Sequence, residues 1–339
     1  MDSVVHTSFN AEDRSYFAIL KKEIHNLVIS AGFSDAKTGE VDIVVAEMTS
    51  NLNKHAGGGE ILVSLLQQDG NPYVELIAID NGPGMADPGK MMADGMSTSN
   101  TLGHGMGSMQ RLSDIFQVYS LKDWGTIVLA RIYKKKPSAT AKKPAAEVRY
   151  IVVAKPGETV SGDGAGFSAG KDHLRIFLGD GLGHGSEANI AVQKALASFQ
   201  SSDSVNPVDT LRYIHNDVKK TRGLVAATAT YYFNEKKWRI AGIGNIATRV
   251  QYPLVSKTYI AHNGIVGLNI PNTMKEQEVQ GERGQVLIMC SDGIKTRWEL
   301  QKYVGIFRYD LSILAAALYK DFARKTDDMS VLACRINVT

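Results

Sequence analysis

Residues 175–185 read RIFLGDGLGHG. A short apolar run, Ile176-Phe177-Leu178, ends in an acid, Asp180, set among glycines. Three readings are open: a phosphate cradle, a metal site or a tight turn. Phosphate cradles rely on backbone N–H donors and often a lysine. An acid at the strand end repels a phosphate unless a cation stands between them. The pattern recurs: SGDGAGF (161–167) sets Asp163 between glycines, and VLIMCSDGIK (286–295) sets Asp292 after a long apolar run. KTDDMSVLACRI (325–336) sets Asp327 and Asp328 directly before a strand. Singly, each acid is a good turn residue, since Asp-Gly is common in hairpins. If the strands are adjacent, the acids converge. Two carboxylates about 4 Å apart repel by about 4 kcal/mol at an effective dielectric of about 20. A convergent set therefore requires bound cations, and an all-oxygen set suits Mg²⁺ or Mn²⁺ rather than zinc.

Outward from this stretch, the chain reads as two halves. Its 339 residues suit roughly two domains. At 44% hydrophobic and 22% charged it has the composition of a globular protein. A net charge of +3 is too small to argue for nucleic acid or an anionic membrane as partner. No apolar stretch is long enough for a transmembrane helix, and the N-terminus MDSVVHTSFNAEDRS does not read as a secretory signal. Cys290 and Cys334 lie in apolar strand-like runs and read as buried thiols, so the expected location is cytoplasmic. KKKPSATAKKPAAE (134–147) has no bulky apolar residue and reads as a linker. It separates an expected first domain, 1–133, from a second, 148–339.

The first half opens with predicted helices over 12–31 and 38–55, followed by strands EILVSLL and YVELIAID, a helix near 108–116, and strands FQVYSL and GTIVLARIY. On the second helix Glu47, Asn51, Lys54 and His55 can share a polar face, which by itself also fits solvated surface. AIDNGPGMAD then places Asp80 at a strand end before Gly82 and Gly84, and TLGHGMG places Gly103, Gly105 and Gly107 before a helix. A glycine-rich loop entering a helix offers free N–H groups and a positive dipole end to an anion. A lone GxGxG is weak evidence; three such elements in this order are stronger. The second half is strand-rich, with helices predicted over 186–200, 207–220 and 310–324.

Residues 10–133 resemble the GHKL ATPase superfamily, in its RsbT-like anti-sigma serine/threonine kinase branch. The matching boxes are EMTSNLNKH (47–55), DNGPG (80–84), GHGMG (103–107) and Gly125-Thr126. The resemblance implies ATP and Mg²⁺: Asn51 holding the ion, Asp80 accepting from the adenine amino group with Thr126 close by, the 103–107 loop closing over the phosphates, and Glu47 acting as base toward an attacking hydroxyl. Lys54, His55, Gly82 and Gly84 complete the implied nucleotide site. No phosphoacceptor-histidine hairpin precedes this half, which favours transfer to Ser or Thr of a partner. Residues 148–336 resemble the metal-dependent protein phosphatase 2C (PPM) family, in its bacterial SpoIIE-like branch. By that pattern Asp180 and the Gly181 carbonyl flank two Mn²⁺ or Mg²⁺ ions, and Asp163, Asp292, Asp327 and the neighbouring Asp328 complete the ligands. The implied chemistry is hydrolysis of phosphoserine or phosphothreonine. Lys171, Arg175 and Arg297 are open as phosphate contacts or as solvated surface, and His184 is displaced by two residues from the family's histidine.

The expected fold is α+β in two domains: a GHKL-type α/β sandwich, then a PPM-type β-sandwich flanked by helices. The expected function is a bifunctional partner-switching regulator acting on a STAS-domain protein, with a sigma factor as a further partner and a homodimer open. The alternative is a phosphatase whose N-terminal domain senses ATP or binds an anti-sigma partner without kinase activity.

Overall fold

A computed structural model of the chain describes residues 5–86, 105–137, 144–252 and 255–337. It divides into two compact units, one of His6–Lys142 with Arg308–Ala316, the other of Met1–Val5, Lys143–Phe307 and Ala317–Thr339. The short segment Arg308–Ala316 thus groups with the first unit rather than with the residues that flank it in sequence.

In the first unit, α1 (Phe17–Ser30) and α2 (Asp35–Asn51) precede β2 (Glu60–Gln68) and β3 (Asn71–Ile79), and α3 (Gly105–Leu112) precedes β4 (Ile115–Leu121) and β5 (Gly125–Tyr133). A short β1 (Thr7–Asn10), with no strand signal in the sequence, completes an antiparallel sheet in the order β1-β2-β3-β5-β4. The spacing of Leu20, Ile24 and Val28 on α1 and of Val41, Val44, Val45 and Met48 on α2 turns one face of each helix inward. Those faces pack on Ile61, Val63, Val74, Leu76, Ala78, Val128, Ala130 and Ile132 of the sheet. Ser34 caps α2 by accepting the Lys37 amide at 3.4 Å. The α-helix stops at Asn51, short of the predicted 55. A π-helical turn, Leu52–Ala56, continues it and closes on Gly57 in the left-handed region (φ 69°). Because this turn carries an extra residue, Lys54 and His55 are rotated away from the face that an unbroken α-helix would give them.

All nine residues of β5 are buried, so the sheet is covered on both faces. On the face away from α1 and α2, Arg131 is completely buried. Its Nε donates to Glu75 Oε2 at 2.6 Å, and its two terminal nitrogens donate to Asp310 at 2.7 and 2.8 Å. Ser312 Oγ accepts from Arg131 at 2.8 Å and donates to Glu75 at 3.1 Å. A buried guanidinium is tolerable only when its donors are met in this way.

The second unit holds two five-stranded antiparallel sheets. One has the order β13-β10-β9-β8-β7 and is made of β7 (Asp163–Ala169), β8 (His173–Gly181), β9 (Leu224–Tyr232), β10 (Lys237–Ile243) and β13 (Gln277–Gln280). The other has the order β12-β11-β14-β15-β6 and is made of β6 (Ala146–Val153), β11 (Ala247–Gln251), β12 (Ser256–Tyr259), β14 (Val286–Cys290) and β15 (Met329–Ile336). Leu174, Ile176, Leu178, Ala227, Ala229 and Trp238 from the first sheet share a core with Val152, Val250, Leu287, Met289, Leu332 and Cys334 from the second. Helices α4 (Ser186–Ser201) and α5 (Pro207–Asp217) cover the outer face of the first sheet through Val192, Phe199, Leu211 and Ile214, packed on Phe177, Ala226 and Ala241. A last helix, α6, spans Leu311–Phe322. Both cysteines are free and buried, and burial pushes both thiols up. Among the described residues, no helix is long and apolar enough to cross a membrane.

Candidate functional site

Strand alternation assembles the acidic site. On β8, Leu174, Ile176 and Leu178 face the core between the two sheets, so Asp180 continues the same row at its end. Asp163, at the start of β7, is directly opposite Asp180, on the row of the core residue Ala165. On β14 the row Leu287, Met289 runs on to Ser291; on β15 the row Cys334, Leu332 runs back through Ser330 to Asp328. Four strands thus deliver acids and hydroxyls to one end of the sandwich. Asp292 and Asp327 flank it in the adjoining turns, which meet closely: a Cβ on Gly293 would stand 1.9 Å from the Asp328 carbonyl oxygen.

The carboxylates are held unequally. Asp328 accepts the Lys155 and Gly162 amides, each at 2.9 Å, and Asp327 accepts the Asp328 amide at 3.0 Å. Asp292 accepts from Asn245 at 2.9 Å, a partner that no sequence signal marked. Asp163 is 1% exposed and its oxygens meet no donor in full hydrogen-bond geometry, although the Ser291 and Ser330 hydroxyls lie beside it. Burial pushes its carboxyl well above the usual range, Ser291 and Ser330 draw it back, and Asp328 and Asp292 raise it further. Asp180 is pushed up by burial and then by Asp163, Asp292, Asp327 and Asp328, so its field registers all four. Gly181 is buried at the end of β8, its amide bonded to the Gly162 carbonyl at 2.9 Å.

Among the described residues, no three His, Cys, Asp or Glu side chains stand close enough to enclose an ion as they are. The fit of a cation rests instead on two observations: a buried carboxylate whose oxygens meet no donor in hydrogen-bond geometry, and four neighbouring acids that push the Asp180 carboxyl up. All of these donors are oxygen, which suits a hard divalent ion. Beside the site, His184 Nδ1 is 2.6 Å from Glu158 Oε1. Of the basic residues left open by the sequence, Arg175 is not surface: it is 5% exposed, and Nη1 donates to the carbonyls of Ser202 and Ser204. Lys171 lies in the β7–β8 hairpin, at the end of the strands away from Asp163 and Asp180.

In the first unit, Asp80 follows β3. Its Oδ1 accepts the Gly82 amide at 2.8 Å and the Thr126 amide at 3.1 Å, which fixes the carboxylate where β3 ends beside the start of β5. Ser120, unmarked in the sequence, links Thr126 Oγ1 at 3.0 Å with the Met85 amide at 2.7 Å, tying the 82–86 loop to β4 and β5. Gly84, in the same loop, has φ +68°. Glu47 and Asn51 are half-buried on α2. The start of α3 reaches both: a Cβ on Gly105 would stand 2.6 Å from Glu47 Oε2, and Asn51 Nδ2 is 3.9 Å from Met106 Sδ. Gly107 is buried on α3, whereas Lys54 and His55 are exposed. Gly103 lies outside the described residues.

An ATPase-type α/β sandwich and a phosphatase-type β-sandwich in one chain define a two-part class. The family described as histidine kinase-like ATPase domain matches residues 9–132, and that described as Stage II sporulation protein E (SpoIIE) matches residues 170–337. Serine/threonine-protein kinase RsbT of Bacillus subtilis (strain 168) is 33% identical over 105 residues, 31% of this chain and 79% of the relative. The chain belongs to the RsbT family of histidine kinase-like ATPase domains through its first unit, and carries a SpoIIE domain of the protein phosphatase 2C type. Among solved structures, one described as "The bacterial stressosome: a modular system that has been adapted to control secondary messenger signaling" is 28% identical with a TM-score of 0.53, covering 57% of this chain and 100% of the other. RsbX in complex with magnesium is 18% identical with a TM-score of 0.49, covering 58% of this chain and 98% of the other.

Proposed function

We propose that the chain is a bifunctional partner-switching regulator, which phosphorylates Ser or Thr of a STAS-type partner with ATP and hydrolyses phosphoserine or phosphothreonine at its acidic site. The observation that carries the phosphatase reading is the buried carboxylate of Asp163, with no donor in full hydrogen-bond geometry, opposite Asp180. Asp163, Asp180, Asp292, Asp327 and the Gly181 carbonyl would hold two Mg²⁺ or Mn²⁺ ions, with Asp328 beside them. Such a pair supplies an activated water and neutralises phosphoryl oxygens during in-line attack. The chain's own part is to bring four strand ends together. It holds Asp292 through Asn245, and it holds Asp328 through two backbone amides.

In the first unit, Asp80, fixed by two amides, recognises the adenine amino group, with Thr126 alongside. Asn51 would hold Mg²⁺, and Gly82, Gly84, Gly103, Gly105, Gly107, Lys54 and His55 would line the nucleotide. Glu47 takes the proton of the attacking hydroxyl, a role that requires hydrogen-bond reach. A sigma factor is a further partner of this unit, a homodimer is a compatible assembly, and the cytoplasm is the compartment that free buried thiols suit.

One observation favours a second reading. The start of α3 lies close beside the Glu47 carboxylate, where a Cβ on Gly105 would stand 2.6 Å from Oε2, so a hydroxyl shares that side of Glu47 with the helix start. A chain in which no hydroxyl reaches Glu47 is an ATP-sensing or anti-sigma binding module joined to a phosphatase. Full-length protein with labelled ATP and a panel of STAS-domain proteins separates the two. The bifunctional reading expects label transfer that Glu47→Ala abolishes while nucleotide binding persists. Absence of transfer to every partner from the unsubstituted chain leaves the binding module.

A further inference from the structure

Arg222 has no assigned role, and three features of its setting bear on one. The first is register. β8 and β9 pair through Asp180↔Val225 and Gly181↔Leu224, and the Leu182 amide donates to the Gly223 carbonyl at 3.1 Å. This ladder carries Arg222 to the loop that follows Asp180, about 10 Å along the strand direction from it at about 3.3 Å per residue, a span that a long side chain shortens. The second is contact. Gly183, in that loop, has φ +79°, and a Cβ on it would stand 3.1 Å from Arg222 Nη1, so the guanidinium lies against bare backbone. The third is that its charge is unspent. Arg222 is exposed, and among the described residues its side chain has no hydrogen-bond or ion-pair partner. By contrast, Arg175 is bonded to two carbonyls, and Lys171 is at the distant end of the β7–β8 hairpin.

A phosphoryl group approaching this end of the sandwich meets a field made negative by Asp163, Asp180, Asp292, Asp327 and Asp328. It needs a cation that keeps its charge and offers a planar pair of N–H donors, which is what arginine supplies. We propose that Arg222 binds the non-bridging phosphoryl oxygens of the phosphorylated substrate residue, and retains inorganic phosphate after hydrolysis. The proposal rests on the phosphatase reading of the acidic site and names the group within it that meets the substrate.

The test uses the full chain with Mn²⁺, with p-nitrophenyl phosphate as substrate and inorganic phosphate as inhibitor and as calorimetric ligand. Arg222→Ala is expected to raise both KM and the inorganic phosphate inhibition constant at least tenfold, with a smaller fall in kcat. Arg222→Lys should recover part of the loss, and Lys171→Ala should match the unsubstituted chain. Calorimetric affinity for phosphate should fall in parallel. Unchanged KM, inhibition constant and phosphate affinity in R222A, with circular dichroism unaltered, overturn the proposal. Calorimetry also keeps the two readings apart. A chain that hydrolyses nothing, yet loses phosphate affinity in R222A, retains the role of Arg222 and overturns the phosphatase reading.

Discussion

Asp163 and Asp180 stand directly opposite each other across the β7–β8 ladder; Asp163 raises the pKa of Asp180, and Asp292 and Asp328 raise both. Like charges placed face to face in a strand pair destabilise it. This end of the first sheet of the second unit therefore needs a cation, or a proton taken up by one carboxyl, to relieve the repulsion.

Asp180→Asn relieves that repulsion without changing side-chain volume. In chelator, the variant is expected to melt above the unsubstituted chain, by about 2–4 °C for each kcal/mol of repulsion removed. With Mn²⁺ the order should reverse, because the unsubstituted chain gains stability from the ion and the variant does not. Differential scanning calorimetry in EDTA and in Mn²⁺ reads both. A variant that melts lower than the parent in EDTA counts against the crowding of these acids.

Glu75 supplies a pH-dependent contribution to the first unit. Burial alone would push its carboxyl up, but Arg131 and His6 outweigh burial and hold it down at about 2. A depressed acid contributes stability that is fully present above its unfolded value and is lost as pH falls through the folded one. The window therefore runs from about 4.3 in the unfolded chain down to about 2 in the folded one. Melting temperature measured across that window should fall steeply for the parent. For Glu75→Gln it should start lower and fall less. Equal slopes would remove Glu75 as the cause.

Asp310→Ala should be more damaging than the position of Asp310 in the chain implies. It leaves Arg131, completely buried, with Glu75 and Ser312 alone. Removing one partner of a buried ion pair costs about 3–5 kcal/mol. Urea unfolding should show a loss of that order, and Asp310→Asn a smaller one. A loss within error of zero would mean that water replaces the carboxylate.

Much of this architecture was legible before the structure, and the exceptions have physical causes. The long helices and the apolar strands declared themselves by period, and the acids by ending apolar runs beside glycine. β7 escaped because DGAGFSA has little bulk; its glycines make room for α4, since a Cβ on Gly166 would meet Leu196 Cδ2 at 3.0 Å. β1, β12 and β13 are four-residue strands at sheet edges, too short and polar for alternation to register. The motifs marked Asp163, Asp180, Asp292 and Asp327, with Asp328 beside them, as acids at strand ends, but only the pairing of β7 with β8 and of β14 with β15 shows which ends are neighbours; Asn245, Ser120 and Arg222 sit in turns or strands that carry no pattern of their own. Nor does a period reveal that Arg131 is matched by a carboxylate 179 positions away.

That last pairing changes how the chain can be recombined. A graft that exchanges residues 1–137 for those of another family member, spliced in the lysine- and alanine-rich stretch, leaves the recipient's residue at 310 to answer whatever occupies 131. Crossover sites that ignore this pairing should yield chimeras that express poorly even when each parent is sound. Libraries that covary positions 75, 131, 310 and 312 should recover them.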